Sequence, residues 1–453
     1  MNEVVQDQLL EELERILHSQ NTRKLETFIK KIRPFDRALL FERLSNIVWK
    51  KRITEALDNS GKAELLSHLH PEDQVLAISF IERSVLGSVL DEMQNDDLAR
   101  MLDHLQNDQA ETLVKVMSPE EADIVQKILS YPEESAGRLM TNRVVWINPE
   151  MTVTEAVQKL RQYSKIFETI HYLYVVNDKH QIEGVVSYRD LLLAEQDDLI
   201  KRIMSDNVMS VKSYIDQEEV ARLIEQYDLI AMPVVDDNEK LIGLITVDDV
   251  IDVLIQEATE DIERLSGSGK EITFKTNAFT AFARRLPWLV LLLFIGLVSG
   301  SIISGFEETL ASVVALAFFM PMIAGMTGNT GTQSLAVVVR GLTTNRIDKL
   351  TVTKLLIREL LVGIMIGATC GVLIAAIGYF WQGSITIGLI VGLSLLTTLI
   401  IGTLAGTIIP LILHRFKIDP AIASGPLITT LNDILSLLIY FGIATALLTR
   451  FPI

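Results

Sequence analysis

AIASGPLITTLNDILSLLIYFGIATALL, residues 421–448, carries one charged side chain in 28 positions, Asp433. The run exceeds the ~20 apolar residues that cross a bilayer as a helix. A carboxylate near mid-membrane costs roughly 2.5–3.5 kcal/mol on insertion scales, so such residues face protein or water rather than lipid. Either Asp433 is a buried acid bonded to Asn432 or Thr430, or it is a cation site in a water-filled path. An intramembrane acid points first to ion handling.

Four more apolar runs precede it, giving five expected spans at about 286–305, 309–337, 355–380, 385–412 and 421–448. Arg284 and Arg285 precede the first. Arg340, Arg346, Lys349 and Lys354 separate the second from the third, and Arg415 and Lys417 the fourth from the fifth. The alternate loops carry no basic residue, so the positive-inside bias puts the N-terminal body in the cytoplasm and the C-terminus outside, with only Arg450 against the rule. In the second span, FFMPMIAGMTGNTGTQS, Pro321, Gly325, Gly328 and Gly331 are expected to interrupt the helix, with Asn329, Thr330, Thr332 and Gln333 offering neutral oxygens. Pro426 does the same in the fifth. Broken backbone in a membrane is tolerated inside protein or along a cavity; close helix packing is the alternative role for the glycines.

The rest of the chain differs in kind. Residues 1–270 hold 51 acidic and 30 basic side chains, a net of −21, against +4 for residues 271–453. Such acidity excludes a nucleic-acid face and suits a cationic partner. Cys370 is the lone cysteine, so no intrachain disulfide forms and no thiolate metal site is expected. MNEVVQDQLLEELERIL lacks the basic and apolar regions of a signal peptide.

Residues 1–135 read as short helices. Leu9, Leu10, Leu13, Ile16 and Leu17 recur at helical spacing, and Ser118-Pro119-Glu120-Glu121 is a helix start with cap, Pro and acid in place. The expectation is a stack of helical hairpins, like an α-solenoid. Glu72, Asp73, Asp91, Glu92, Asp96, Asp97 and Asp103 are assigned to helix starts, where the dipole favours them. They would bind a divalent ion only against a second acidic surface. His68 and His70 are read as surface histidines.

Residues 136–256 contain a duplication. HYLYVVNDKHQIEGVVSYRDLLLA (171–194) aligns without a gap onto IAMPVVDDNEKLIGLITVDDVIDV (230–253). Each copy has two β-type runs, Gly184 or Gly243, then Ser187 or Thr246 three residues before Asp190 or Asp249. The hydroxyl and carboxylate either cap a helix or bind ribose and phosphate. Arg189 suits a phosphate in the first copy; its counterpart Asp248 disfavours an anion and favours a cation. These units resemble tandem CBS domains, here 136–203 and 204–256.

Residues 257–283 form a connector in which Glu257, Glu260 and Asp261 share a helix face and repel unless a cation intervenes. Gly267-Ser268-Gly269-Lys270 fails as a phosphate loop, because Arg264 and Glu271 stand where Gly and Ser or Thr are needed; it is read as a turn.

The order of parts resembles the MgtE family of magnesium channels over nearly the whole chain. PMIAGMTGNTGTQS and DPAIASGPLITTLND resemble its two pore-forming segments, and EATEDI its gating helix. The resemblance implies a multidomain protein: an all-α helical-hairpin N domain (1–135), α/β tandem CBS domains (136–256), an acidic connector helix and a five-helix transmembrane domain (284–453). It implies a homodimer in the plasma membrane with Mg²⁺ as cargo, Asp433 of both chains facing the hydrated ion, and Asn432, Asn329 and Gln333 near it. It further implies regulatory Mg²⁺ at Glu218, Asp228, Asp249, Asp252, Glu257, Glu260 and Asp261, with Asp96 and Asp97 on the N-domain side. ATP binds some members, which here would involve Arg189 and Asp190.

Mg²⁺ sheds water reluctantly and is held by one or two carboxylates with waters retained, which suits such a site. Clustered acids repel by ~4 kcal/mol per pair at 4 Å and an effective dielectric near 20, so bridging ions would draw cytosolic domains together and close the channel. The rival expectations are transport of another divalent such as Co²⁺ or Zn²⁺, disfavoured by the absence of His or Cys at Asp433, and a non-transporting CBS-based nucleotide sensor. No nucleophile–base pair or zinc motif supports an enzyme.

Overall fold

The computed structural model describes residues 3–105, 107–163, 172–267, 272, 276–344 and 349–451. His171, Glu271, Arg346 and residues 268–270 of the expected turn lie outside them. The chain forms two compact units, residues 1–255 and 256–453.

The first unit opens with helices α1 (Glu3–His18), α2 (Thr22–Lys31), α3 (Pro34–Arg43), α4 (Ile47–Ala56) and α5 (Asn59–His68). They continue as α6 (Pro71–Ser79), α7 (Arg83–Glu92), α8 (Asn95–Asp103), α9 (Asn107–Val114) and α10 (Pro119–Leu129). Local chemistry sets the starts. Asn21, Asn46, Asp58 and Ser118 each accept a backbone N–H of the first turn, and Pro34, Pro71 and Pro119 stand first in their helices. Leu13, Leu17, Leu25, Phe41, Leu65, Leu66, Leu90 and Leu98 fill one core. Two expectations change. Asp91 and Glu92 end α7 and Asp103 ends α8, so the dipole does not explain them. Asp91 instead accepts the N–H of Ser118 at 3.1 Å, and Asp103 accepts from Arg138 Nε at 2.9 Å.

The duplication is plain in the backbone. After α11 (Ala136–Leu139) come β1 (Trp146–Ile147), α12 (Val153–Tyr163), β2 (Tyr172–Val176), β3 (Ile182–Ser187), α13 (Tyr188–Leu193) and α14 (Ile200–Ile203). Then follow β4 (Val211–Lys212), α15 (Gln217–Gln226), β5 (Ala231–Val235), β6 (Leu241–Thr246) and α16 (Val247–Ser266). Each copy is a three-stranded sheet, β1-β2-β3 or β4-β5-β6, with a parallel then an antiparallel pairing. Gly184 pairs with Val175 as Gly243 pairs with Val234, and a register shift follows at the same place in both. The two glycines have one purpose. A Cβ on Gly184 would meet Met204 Sδ at 2.7 Å, and on Gly243 Met140 Sδ at 2.4 Å. Each admits a methionine from the segment that leads into the other copy. Thr141 exchanges two backbone bonds of 2.9 Å with Leu244, and Ser205 two of 2.9 Å with Val185. Residues 136–141, expected in the first CBS copy, therefore pack on the second: Ala136 and Met140 belong to the core of Val211, Val220 and Ile245.

The helix α16 runs from Val247 to Ser266 without interruption at residue 256, where the connector was expected to begin. The second unit continues with α17 (Ala278–Gly305), α18 (Glu307–Ser312), α19 (Leu316–Thr344), α20 (Lys349–Gln382), α21 (Ile385–Arg415) and α22 (Gly425–Arg450). Among the described residues, α17, α20, α21 and α22 are long and apolar enough to cross a membrane. The expected second span differs: its first residues form α18, and the long helix starts only at Leu316. This α19 is long enough to span, at 29 residues, but Thr, Asn, Gln and Gly dilute its apolarity. It is not interrupted. Pro321 falls one turn from the start, where the missing N–H forfeits a single bond. Pro426 likewise sits in the first turn of α22 after Ser424, opening the helix rather than breaking it.

In α7 the interior Gly87 touches the α9–α10 connection, and a Cβ there would lie 2.0 Å from the Val116 carbonyl oxygen. Alanine raises helix propensity by about 1 kcal/mol, while overpacking costs about 1–3 kcal/mol. Gly87→Ala is expected to lower the thermal midpoint of the detergent-solubilised protein by several degrees; a rise would mean that the α7 contact yields freely.

Candidate functional site

One acidic group within the first unit is brought together by α8 and α16. Asp96 and Asp97 occupy the first turn of α8 and Asp249 and Asp252 the start of α16. Arg100, one turn after Asp96, reaches Asp97 at 3.3 Å, Asp252 at 3.5 Å and Asp249 at 3.8 Å. Asp96 is 5% exposed, and its Oδ1 has no hydrogen-bond partner. Burial pushes the Asp96 carboxyl well above the usual carboxylate range, and repulsion from Asp249 and Asp97 adds to it. Asp249 is also raised, first by burial, against the hydroxyl of Thr246 and Arg100, which favour its charge. Three carboxylates thus share one guanidinium, with Asp96 as a fourth, unpaired acid beside them. Among the described residues no group of three or more side chains already has the spacing of a metal cage; here the guanidinium of Arg100 lies among the acids. The orphaned Asp96 oxygen and the excess of negative charge do fit a hydrated divalent cation.

The other regulatory candidates are dispersed. Glu218 is in the first turn of α15 and Asp228 follows its last residues, so the length of that helix, about 15 Å, separates them. Glu260 pairs with Arg264 one turn on, and Arg264 also reaches Asp419, just before α22. Burial raises the Asp261 carboxyl, opposed by Arg264. Glu257 lies on the same helix.

At the duplicated motif the hydroxyl and carboxylate cap their helices. Ser187 Oγ donates to Asp190 at 2.6 Å and accepts the Asp190 N–H at 3.2 Å. Arg189 is exposed beside this box, so a phosphate can reach it without displacing the cap. In the second copy Thr246 bonds Asp249 in the same way, but Asp249 turns to Arg100.

In the second unit, α19, α21 and α22 pack closely through glycine. A Cβ on Gly331 would meet Asn432 Nδ2 at 2.0 Å, and one on Gly406 the Gly331 carbonyl at 2.2 Å. Asn432 is fully buried and donates to the Thr327 carbonyl at 3.3 Å. Its Oδ1 is buried without a hydrogen-bond partner. Gly325, Asn329 and Gln333, four residues apart, lie on an exposed face of α19, and Asp433 is half-exposed on α22. Thr327, Thr330 and Thr332 return their hydroxyls to their own helix at Ile323, Met326 and Asn329, so the neutral oxygens expected of Thr330 and Thr332 are already engaged.

Three residues escaped the sequence reading. Arg100 is a lone base three residues after an acid pair, a visible but unspecific signal. Asp419 has no local mark. Glu359, a charge inside an expected span, was as visible as Asp433.

Residues 320–443 match the MgtE family, described as a divalent cation transporter, residues 32–134 the MgtE intracellular N domain, and residues 136–197 and 200–256 the CBS domain. The chain is 51% identical over 440 residues to the magnesium transporter MgtE of Bacillus subtilis (97% of both chains). It is 36% identical over 449 residues to that of Thermus thermophilus (98% of this chain, 99% of the relative). Among solved structures, the cytosolic domain of the Mg²⁺ channel MgtE in complex with ATP superposes with a TM-score of 0.52 at 35% identity, covering 54% of this chain and 99% of that one.

Because the folded-state pKa of Asp96 is raised, the folded protein retains a proton that the unfolded chain has released. The resulting penalty is absent below the unfolded pKa and grows as pH rises towards the folded one. Asp96→Asn removes it. In chelator, the advantage of the variant over wild type is expected to grow from pH 4 to pH 8, with the difference in melting temperature widening by at least about 2–4 °C, the shift for about 1 kcal/mol; a difference that stays constant across that range would show Asp96 to be indifferent to its surroundings.

Proposed function

The chain belongs to the MgtE family of divalent cation transporters, and from that premise we propose that it is a Mg²⁺ channel of the plasma membrane, closed by the ion it admits. It is no enzyme. Membrane-crossing helices and a high identity to magnesium transporters over nearly the whole chain support transport. The observation that carries the ion path is the polar α19 face of Asn329 and Gln333, together with the half-exposed Asp433, in an otherwise apolar helical body. A hydrated dication retains its waters, so one carboxylate per protomer and amide oxygens at water distance suffice and permit release. A homodimer would bring two Asp433 side chains to one axis.

Closure is assigned to the acids of α8 and α16. When Mg²⁺ is plentiful, Asp96, Asp97, Asp249 and Asp252 would hold it, with Arg100 turned away; the ion would supply the neutralising charge that one guanidinium only partly provides. Glu218, Asp228, Glu257, Glu260 and Asp261 are assigned to further sites, with residues 257–283 the connector that responds. ATP is assigned to the first CBS copy at Arg189 and Asp190, supported by the ATP complex of the similar cytosolic domain and by the free face of Arg189 beside its capping box. The second copy, with Asp248 in the matching place, repels a phosphate.

In proteoliposomes, Asp433→Ala is expected to cut Mg²⁺ flux at least about 100-fold, the scale of a lost charged contact of about 3 kcal/mol. Wild-type flux with alanine at 433 would end the pore assignment. In patch recordings, neutralising Asp249, Asp252 and Glu257 together should leave conductance intact while raising about tenfold or more the cytosolic Mg²⁺ needed for closure. Unchanged gating would move the sensor elsewhere.

A further inference from the structure

Glu359 lies in the first third of α20, 6% exposed. A carboxylate in an apolar helix costs roughly 2.5–3.5 kcal/mol on insertion scales and is tolerated where it is paired. Glu359 is fully paired. Its Oε2 accepts the Ser334 hydroxyl of α19 at 2.9 Å, and its Oε1 accepts Arg358 Nε at 3.1 Å and a terminal guanidinium nitrogen at 2.8 Å. Arg358 is itself more than half exposed, so its stem can carry the charge outwards. Both oxygens are engaged by protein donors, one of them twice. Its bond joins α20 to α19.

The bond falls where α19 is held most tightly. Ser334 is buried and stands three residues after Gly331, about 4.5 Å along the helix. At Gly331, α19 meets Asn432 of α22 and Gly402 and Gly406 of α21 with no room for a Cβ. Gln333, on the exposed face, is adjacent to Ser334, and Asp433 is adjacent to Asn432. A one-residue change in the facing of α19 would turn Gln333 by about 100°. Left without Glu359, the Ser334 hydroxyl would find a carbonyl in its own helix, as Thr327 and Thr330 do, and the buried polar tie from α19 to α20 at this level would be lost.

We propose that Glu359 is a positioning residue for Mg²⁺ passage: through Ser334 it sets the rotation of α19, so that Gln333 and the Gly331–Asn432 contact keep Asp433 in register. This rests on Asp433 as the ion site. In full-length protein in proteoliposomes, Glu359→Ala and Ser334→Ala are each expected to lower Mg²⁺ flux per folded transporter about tenfold and to shift the Mg²⁺-to-Ca²⁺ flux ratio. The double variant should be no worse than either single one, since both remove one contact. Glu359→Gln, which retains an acceptor for Ser334, should recover most of the flux. Melting curves in detergent supply the folded fraction; should Glu359→Ala fail to insert, Ser334→Ala, the loss of one hydroxyl, decides alone. Variants that lower yield or melting temperature while flux per folded transporter and ion ratio stay at wild type overturn the proposal, as does a double variant about 100-fold down. Asp433→Ala separates the premises: flux surviving there defeats the ion site, whereas flux lost there but normal in Ser334→Ala defeats only the positioning role.

Discussion

A carboxylate withdrawn from water must find a proton, a donor or a cation, and the acids of this chain meet that constraint in different ways. Asp96 holds on to a proton further up the pH scale and leaves one oxygen unpartnered. Glu359 is satisfied on both oxygens by neighbours of fixed geometry. Asp433 is half-exposed on α22. In the function proposed above, the degree of satisfaction separates sensor, brace and path. An acid with every lone pair engaged rigidifies, and one left wanting responds to what arrives.

Close approach of backbones is the second organising theme, and it recurs in both units. In the duplicated domains Gly184 and Gly243 admit Met204 and Met140, which locks each copy to the leading segment of the other. In the membrane body Gly331 and Gly406 bring α19, α21 and α22 together with no side chain between them. Lipid tails offer no hydrophobic drive for helices to associate, so small residues and interhelical bonds provide it.

Much of this was legible in the residues. The alignment of 171–194 on 230–253 predicted two matching sheets, and the pairings at Val175 and Val234 repeat each other. The cap at Ser118 was readable from its hydroxyl, Pro and acid together, whereas Ser187 and Thr246, each three residues before an acid, fitted a cap and a ribose or phosphate site equally until the bonds to Asp190 and Asp249 were seen. Less legible was whatever depends on which face of a helix meets a neighbour. Asn329 and Asn432 look alike in sequence, yet one is exposed and the other is buried against Thr327. Pro321 reads as a break, but its place one turn into α19 makes it harmless. Arg100 could not be assigned to Asp249 from sequence, since 149 residues separate them.

The paired sheets are alike in strand order and register, and beside the hydroxyl–carboxylate pair the charge is opposite, Arg189 in the first copy against Asp248 in the second, both exposed. Because scaffold stability resides in the shared framework, that single locus can change sign at little risk to folding. A duplicated module of this kind presents one surface position twice on a common scaffold, and opposite charges there leave the two halves separately adjustable.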